Sequence, residues 1–370
     1  MPLFEVEEKL SPSAEIAMRD VLGLKKGERV LIITNPIEDV SAISIALYKA
    51  TLKLGGKAVL IYQEKKSQLD FAEDPVLGAI EKEPEIVISM SAGKLGKDRF
   101  ALEKPYTAGE KKYDHIFTYL LRGKKKIRAF WSPGVTKDIF ARTVPIDYSR
   151  LKKEAVALKN ILDMAEGVRI RAAGGTKLYI GLKDRETHLD HGDFTAAGTG
   201  GNLPCGEVFI SPQLKSSEGI IVFDGSLSLY HGDIVLKEPV RCKVEKGFVN
   251  EIRGGEEAEK LKETIQLAKK NAEKMAEEGK FSEKDKEEYI KNATNLGELG
   301  IGLNPKAKIT GNMLEDEKAY HTCHIAIGSN YDEDAKSLIH LDGLIKKPTI
   351  VAVMPDGEEK VLMKEGKLLI

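Results

Sequence analysis

The chain has 370 residues, 42% hydrophobic and 31% charged. That length predicts two domains, and the composition excludes wholesale disorder. Its 57 basic and 58 acidic residues nearly cancel, so the charge gives no reason to expect a nucleic-acid or membrane partner. Cys205, Cys242 and Cys323 are odd in number and far apart, which argues against a disulfide framework. Residues 1–8 lack a basic segment followed by an apolar run, predicting no signal peptide. No apolar stretch approaches the length of a membrane span. A soluble, cytoplasmic protein is expected.

The first 150 residues alternate between strand and helix patterns. Near-continuous apolar runs at 29–34, 57–62 and 85–90 read as buried parallel strands, with a helical pattern from Asp39 to Leu54 after the first. Runs at 114–119 and 126–131 add two further candidate strands. The alternation predicts an α/β, Rossmann-like domain over 1–150 with an open parallel sheet. Asn35-Pro36-Ile37-Glu38 follows the first strand in place of Gly-x-Gly-x-x-Gly, which argues against a dinucleotide site. His115, inside a strand-like run, reads as structural. Arg122 to Lys126, without interleaved aromatics, reads as a solvated basic loop.

A helical pattern from Tyr148 to Glu166 bridges to a second domain, 151–370. Six of the seven histidines lie there, between His188 and His340. Short runs at 177–182, 207–210, 219–223 and 240–244 predict a mainly antiparallel sheet or barrel in an α+β domain. Gly254-Gly255 opens a helix over Glu256 to Glu278, with Leu261, Ile265, Ala268, Ala272 and Met275 as its packing stripe. A second helix covers Glu283 to Lys291, and a strand returns at Thr349 to Val353.

Three later runs carry chemistry: Leu296-Gly297-Glu298-Leu299-Gly300-Ile301-Gly302, His324-Ile325-Ala326-Ile327-Gly328 and His340-Leu341-Asp342. In extended chains alternate side chains share a face. Glu298 then points the same way as Gly300 and Gly302, and His324 the same way as Ala326 and Gly328, leaving room for an ion and a substrate. Pro204-Cys205-Gly206-Glu207 delivers a further glutamate to the start of a strand. Glu207, Glu298, His324, His340 and Asp342 make three carboxylates and two imidazoles, a set suited to zinc, cobalt, manganese or iron. Two such ions sharing bridging carboxylates would activate a water for attack on a carbonyl. His188 and His191 read as a polar turn, Cys205 as a packed small residue, and His321 as facing opposite to His324. Glu317 is either a group that orients a ligand or a surface carboxylate.

These residues carry a resemblance over essentially the whole chain. Pro204-Cys205-Gly206-Glu207-Val208-Phe209, Leu296-Gly297-Glu298, Asp316-Glu317-Lys318 with His324-x-Ala326-x-Gly328-x-x-Tyr331, and His340-x-Asp342 resemble the thermophilic aminopeptidase family, which includes aminopeptidases T and S. The resemblance implies a metallo-aminopeptidase that hydrolyses the first peptide bond of a peptide with a free N-terminus, and a homodimer. It implies that Glu207, Glu298, His324, His340 and Asp342 bind two divalent ions (Zn, Co or Mn). Tyr331 would then stabilise the tetrahedral oxyanion, and Glu298 or Glu317 would shuttle the proton. Cys205 stands where that family carries an acidic or small residue, and the stretch between Tyr331 and His340 is short. Gly247-Phe248, Gly254-Gly255-x-Glu257-Ala258-Glu259 and His340-x-Asp342 also resemble the iron-dependent 2,5-dihydroxypyridine dioxygenases. That branch implies a single iron in a His/His/Asp site, with His in place of Glu298 and an apolar residue in place of His324. A non-catalytic metal- or small-molecule-binding protein is the third reading.

Overall fold

Apolar runs at 29–34, 86–90 and 128–131 build the buried middle of the first sheet, whereas the run at 57–62, expected to be buried, is a partly exposed edge strand. The computed structural model describes residues 7–67 and 70–370, so most of the residues read for a signal peptide, 1–6, lie outside the described residues. Internal contacts divide the chain into two units, Met1–Lys152 with Asp190–Cys205, and Lys153–Leu189 with Gly206–Ile370. In the first unit five strands run in the order Gly200–Asn202, Arg128–Trp131, Ile86–Met90, Arg29–Thr34, Lys57–Tyr62. All four pairings are parallel. The helix Glu38–Lys53 follows the first strand and starts with Glu38 and Asp39, acidic residues that favour the positive end of the helix dipole.

At the carboxyl ends of Arg29–Thr34 and Ile86–Met90 the order of connection reverses, the place where open parallel sheets bind ligands. Here that place is filled by Asn35, which is buried. Its amide donates to the carbonyls of Gln63 (3.0 Å) and Glu64 (3.2 Å), and its oxygen accepts from the Ser91 hydroxyl (2.9 Å) and the Ala92 N–H (2.8 Å). The strand expected over 114–119 is a correction: residues Ile116–Thr118 are helical and lead into a wide turn at Tyr119–Gly123. His115 caps this helix, its Nδ1 accepting the Phe117 N–H at 3.0 Å, and Asp98 accepts the Ile116 N–H at 2.9 Å. A cap with two helix N–H groups to satisfy outweighs the strand propensity of a short apolar run.

The second unit opens within the helix Tyr148–Leu162 and contains two antiparallel sheets. One has eight strands, in the order Phe248–Arg253, Val240–Glu245, Glu218–Phe223, Lys177–Gly181, Gly167–Arg171, Thr349–Val353, Glu359–Lys364, Lys367–Leu368. The helix Glu256–Glu277 buries Leu261, Ile265, Ala268 and Ala272 of the predicted stripe and leaves Met275 half-buried.

The other sheet has seven strands, in the order Gly232–Val235, Ser226–Leu229, His340–Lys346, Thr322–Gly328, Leu296–Gly302, Glu207–Ile210, His188–Asp190. The hairpin Ser226–Leu229/Gly232–Val235 and the strand Phe248–Arg253 have no counterpart in the sequence reading. Their polar alternation, as in Ser226-Leu227-Ser228-Leu229, is short and broken by charge. The two sheets meet where Phe223 covers Gly343, and a Cβ there would lie 2.4 Å from the Phe223 ring. Among the described residues no helix is long and apolar enough to cross a membrane.

Candidate metal centre

Register brings the ligand types together. Ala326 pairs with Glu298 on one side and with Asp342 on the other. Gly300 pairs with His324 and also with Phe209, Glu207 with Gly302, and Gly328 with His340. Directly paired residues of an antiparallel ladder share a face, so Glu207, Glu298, His324, His340 and Asp342 all project from one side. Leu299, Ile301, Ile325, Ile327 and Leu341 fill the other side and are buried. The glycine at 300 has a specific task. A Cβ there would lie 1.9 Å from His324 Nε2, so the space expected for an ion is filled in part by the imidazole itself, laid over the neighbouring strand.

The distances define two groups of ligand atoms that share one residue. His324 Nε2 lies 2.9 Å from Glu298 Oε1 and 3.4 Å from Glu207 Oε2. His340 Nε2 lies 3.6 Å from Glu298 Oε2 and 3.4 Å from Asp342 Oδ1. Glu207–Glu298–His324 and Glu298–His340–Asp342 therefore each offer three ligand atoms within 4.8 Å of one another. Glu298 turns one oxygen to each group. His340 Nδ1 donates to the Ser329 carbonyl at 2.9 Å, which fixes the tautomer and leaves Nε2 as the donor atom.

Whether a cation fits is decided by polar atoms left without partners. Glu207 Oε2 and Asp342 Oδ1 are buried and accept no hydrogen bond, a costly state for a carboxylate oxygen. A divalent ion among carboxylates and imidazoles removes that cost, and oxygen and nitrogen donors suit iron, manganese, cobalt or zinc. The set fits a metal.

Without an ion the charges act on one another. Burial works against the His324 imidazolium, but the Glu298 hydrogen bond and the Glu207 carboxylate outweigh it and raise its pKa to about 9. His340 is raised to about 10: burial opposes its charge, and Asp342 and Glu298 overcome that. For Asp342 burial disfavours the carboxylate, yet His340 holds it down at about 2. Burial pushes Glu207 up despite the nearby Lys318. Glu317 is raised to about 7, by burial first and then by Glu207 and Asp342 against the pull of Lys318.

The remaining expected residues fall unevenly around this centre. Tyr331 stands at its rim, 58% exposed, its ring 5.8 Å from that of His340 and 4.8 Å from that of Phe209. Partial burial and the carboxylates Glu298 and Glu207 hold its phenol well above the ordinary range. His188 stacks on Phe209 at 5.2 Å, so it belongs to an aromatic wall and not to a polar turn. His321 points elsewhere, its Nδ1 bonded to the Gly366 carbonyl at 2.6 Å. His191 accepts the Asp193 N–H at 3.2 Å. Cys205 is buried, its sulfur in the space a Cβ on Gly192 would need.

Sequence reasoning gave Lys318 no role. It is fully buried, with its Nζ 2.6 Å from Glu207 Oε1 and also bonded to Glu317. The motif Asp316-Glu317-Lys318 carries a resemblance but gives this lysine no place in the site. Only the short helix Met313–Asp316 shows otherwise: Asp316 accepts the N–H groups of Thr310 (2.7 Å) and Gly311 (3.0 Å), and Glu315 that of Lys308 (2.7 Å).

Comparison with known proteins then bears on the chemistry. The family model described as NicX, 2,5-dihydroxypyridine 5,6-dioxygenase, matches residues 134–331. A curated 2,5-dihydroxypyridine 5,6-dioxygenase of Pseudomonas putida KT2440 is 26% identical over 185 residues, 48% of this chain and 45% of the relative. The match thus spans less than half of that relative's length. The solved 2,5-dihydroxypyridine dioxygenase of Pseudomonas putida KT2440 superposes with a TM-score of 0.69 at 17% identity, over 97% of this chain and 96% of the other. Wild-type AmpT of Thermus thermophilus gives 0.64 at 19%, over 98% and 99%.

Both structures share the fold, an α/β region with a parallel sheet and an antiparallel region. The expectation of a peptide hydrolase, with its aminopeptidase and protease description, is corrected by the family model and the curated relative, which both carry a dioxygenase name. The physical reason for the error is general. Carboxylates and imidazoles on one sheet face announce a metal, and the same fold and donor types serve unrelated reactions.

Proposed function

The chain belongs to the NicX, 2,5-dihydroxypyridine 5,6-dioxygenase family, whose model matches more than half of it, and on that premise we propose that it is a metal-dependent dioxygenase opening a hydroxylated aromatic ring. The observation that carries the reading is the pair of buried, unpartnered carboxylate oxygens on Glu207 and Asp342 beside two imidazoles. Glu298, His340 and Asp342 would hold one ion. Glu207, Glu298 and His324 would hold a second, with Glu298 between them. This set is richer in carboxylate than the His/His/Asp site implied for the dioxygenase branch, and that supports capacity for two ions. When bound, a redox-active divalent ion supplies the chemistry by which dioxygen reacts with an aromatic ring.

The chain's own residues do the rest. Phe209, Tyr331 and His188 offer flat faces on which a planar ring stacks. Glu317, with its carboxyl held near neutrality, takes the proton of a ring hydroxyl and returns it to the product. The Tyr331 phenol stays protonated at neutral pH and donates a hydrogen bond to developing negative charge on a ring oxygen.

The test is oxygen uptake. Protein loaded anaerobically with Fe(II), then with Mn(II) or Co(II), is mixed with 2,5-dihydroxypyridine in an oxygen electrode while ring absorbance is followed. Equimolar loss of oxygen and ring supports the reading. Folded, metal-loaded protein that consumes no oxygen with hydroxylated pyridines or benzenes, yet releases leucine from leucyl-p-nitroanilide, overturns it.

A further inference from the structure

We propose that Lys318 is a positioning residue that restricts Glu207 to a single ligating oxygen, so that Glu298 alone is left to bridge the two groups of ligand atoms. The inference rests on the metal reading above and concerns how the ligands are held. Its basis is the geometry around one fully buried ammonium. Lys318 Nζ lies 2.6 Å from Glu207 Oε1 and is also bonded to Glu317 Oε1. Glu207 Oε2, the other oxygen, has no hydrogen-bond partner and lies 3.4 Å from His324 Nε2. One oxygen is committed to the lysine and the other faces the ligand group. Chelation by both oxygens would require breaking a charge-assisted hydrogen bond in a buried place, where such bonds are strongest.

The backbone fixes this arrangement from both sides of one dipeptide. The Leu303 N–H donates to the Gly206 carbonyl at 2.7 Å, next to Glu207, and the Asn304 N–H donates to the Lys318 carbonyl at 2.8 Å. Leu303-Asn304 therefore brackets the glutamate and the lysine that contact each other. The approach is close enough to demand glycine. Gly206 has φ +127° and a Cβ there would lie 2.8 Å from Asn304, while a Cβ on Gly302 would lie 2.2 Å from the Ala319 carbonyl oxygen.

Charge explains why a lysine occupies this place. Glu207, Glu298, Glu317 and Asp342 crowd one pocket, and a buried ammonium offsets part of their repulsion without being a ligand. Its three donors point where its neighbours require. Hydrogen bonds of this kind set the orientation of metal ligands, and removing them typically costs about 10–100-fold in metal affinity or activity.

The test uses cobalt as a reporter, read without turnover. Wild-type protein and Lys318→Met are titrated with Co(II), recording visible absorption, stoichiometry and circular dichroism. In folded Lys318→Met the freed Glu207 supplies its second oxygen, coordination number rises, and the visible bands weaken relative to wild type. Folded Lys318→Met with the wild-type spectrum overturns the proposal. Should Lys318→Met not fold, the metal-loaded wild-type crystal structure decides. Glu207 ligating through Oε2 with Oε1 on Lys318 supports the proposal, and both oxygens on the ion overturn it. Wild-type protein that binds no divalent ion overturns the metal reading itself, an outcome distinct from a failure of Lys318 alone.

Discussion

Asn35 and Glu207 are both buried polar residues set at strand ends, one in each unit, and they are treated in opposite ways. Asn35 makes four hydrogen bonds and closes the crevice where a parallel sheet of this connection order would take a ligand. Glu207 has one oxygen on Lys318 and the other facing His324 without a hydrogen bond, and Asp342 Oδ1 faces His340 in the same state. Saturated polar groups hold a fold together, whereas unsaturated ones in a cluster mark where something else binds. The position that topology favours holds a saturated side chain, and the antiparallel sheet holds the unsaturated ones.

Substitution of Glu298 by Ala, set against Asn35→Ala, should separate the two kinds of residue most strongly. Glu298 belongs to both ligand groups, so its loss should reduce bound metal by at least about 100-fold in affinity, beyond what loss of an orienting partner costs. Asn35→Ala should do the reverse, costing about 1–3 kcal/mol of stability through groups left unsatisfied while metal content stays at the wild-type level. Metal analysis and thermal melts decide the comparison. Equal metal loss in both variants would remove the distinction.

Gly300→Ala comes next, with Gly78→Ala as its counterpart in the first unit. The added methyl at 300 collides with the His324 ring. It should lower metal affinity by about 10-fold or more and cost about 1–3 kcal/mol as an overpacked core does, both measurable by calorimetry. Gly78 sits in the helix Asp74–Glu81 with open space around it. Alanine there should add about 0.5–1 kcal/mol of stability by helix propensity and leave metal binding alone.

The last expected effect is on pH dependence. His324 and His340 are raised to about 9 and about 10 in the metal-free fold. A group whose folded pKa exceeds its unfolded value stabilises fully below the unfolded value, about 6.5 for His. That contribution disappears as pH rises through 9 and then 10. The melting temperature of chelated protein should therefore fall between pH 7 and 10. Metal-loaded protein, whose imidazoles are already deprotonated, should show a flatter curve. Asp342 has the opposite sign. Held at about 2, it contributes above about 3.9 and loses that contribution as pH falls through 2.

Much of the site was legible because strand periodicity is strict. Alternation in Glu298 to Gly302 and in His324 to Gly328 gives the shared face without knowledge of pairing, and the ladder registers agree with it. Lys318 was not legible, since burial of a lysine depends on the loop at 304–319 folding back toward Glu207, which no local pattern encodes. The aromatic wall of His188, Phe209 and Tyr331 joins residues far apart in sequence. In the first unit the same limit shows at His115, where a capping hydrogen bond converts an apolar run into a helix. The reaction was misread for a different cause: ligand types specify an ion before they specify what is done with it.

The strands Leu296–Gly302, Thr322–Gly328 and His340–Lys346 are each hydrogen-bonded to a neighbour on both sides, so none of the ligands they carry sits on an edge. Their amides should be among the slowest in the molecule to exchange with deuterium, with or without metal. Such a scaffold waits preformed. Capture of an ion there would involve no refolding, and its rate would be limited by entry to the pocket and by the shedding of water from the ion.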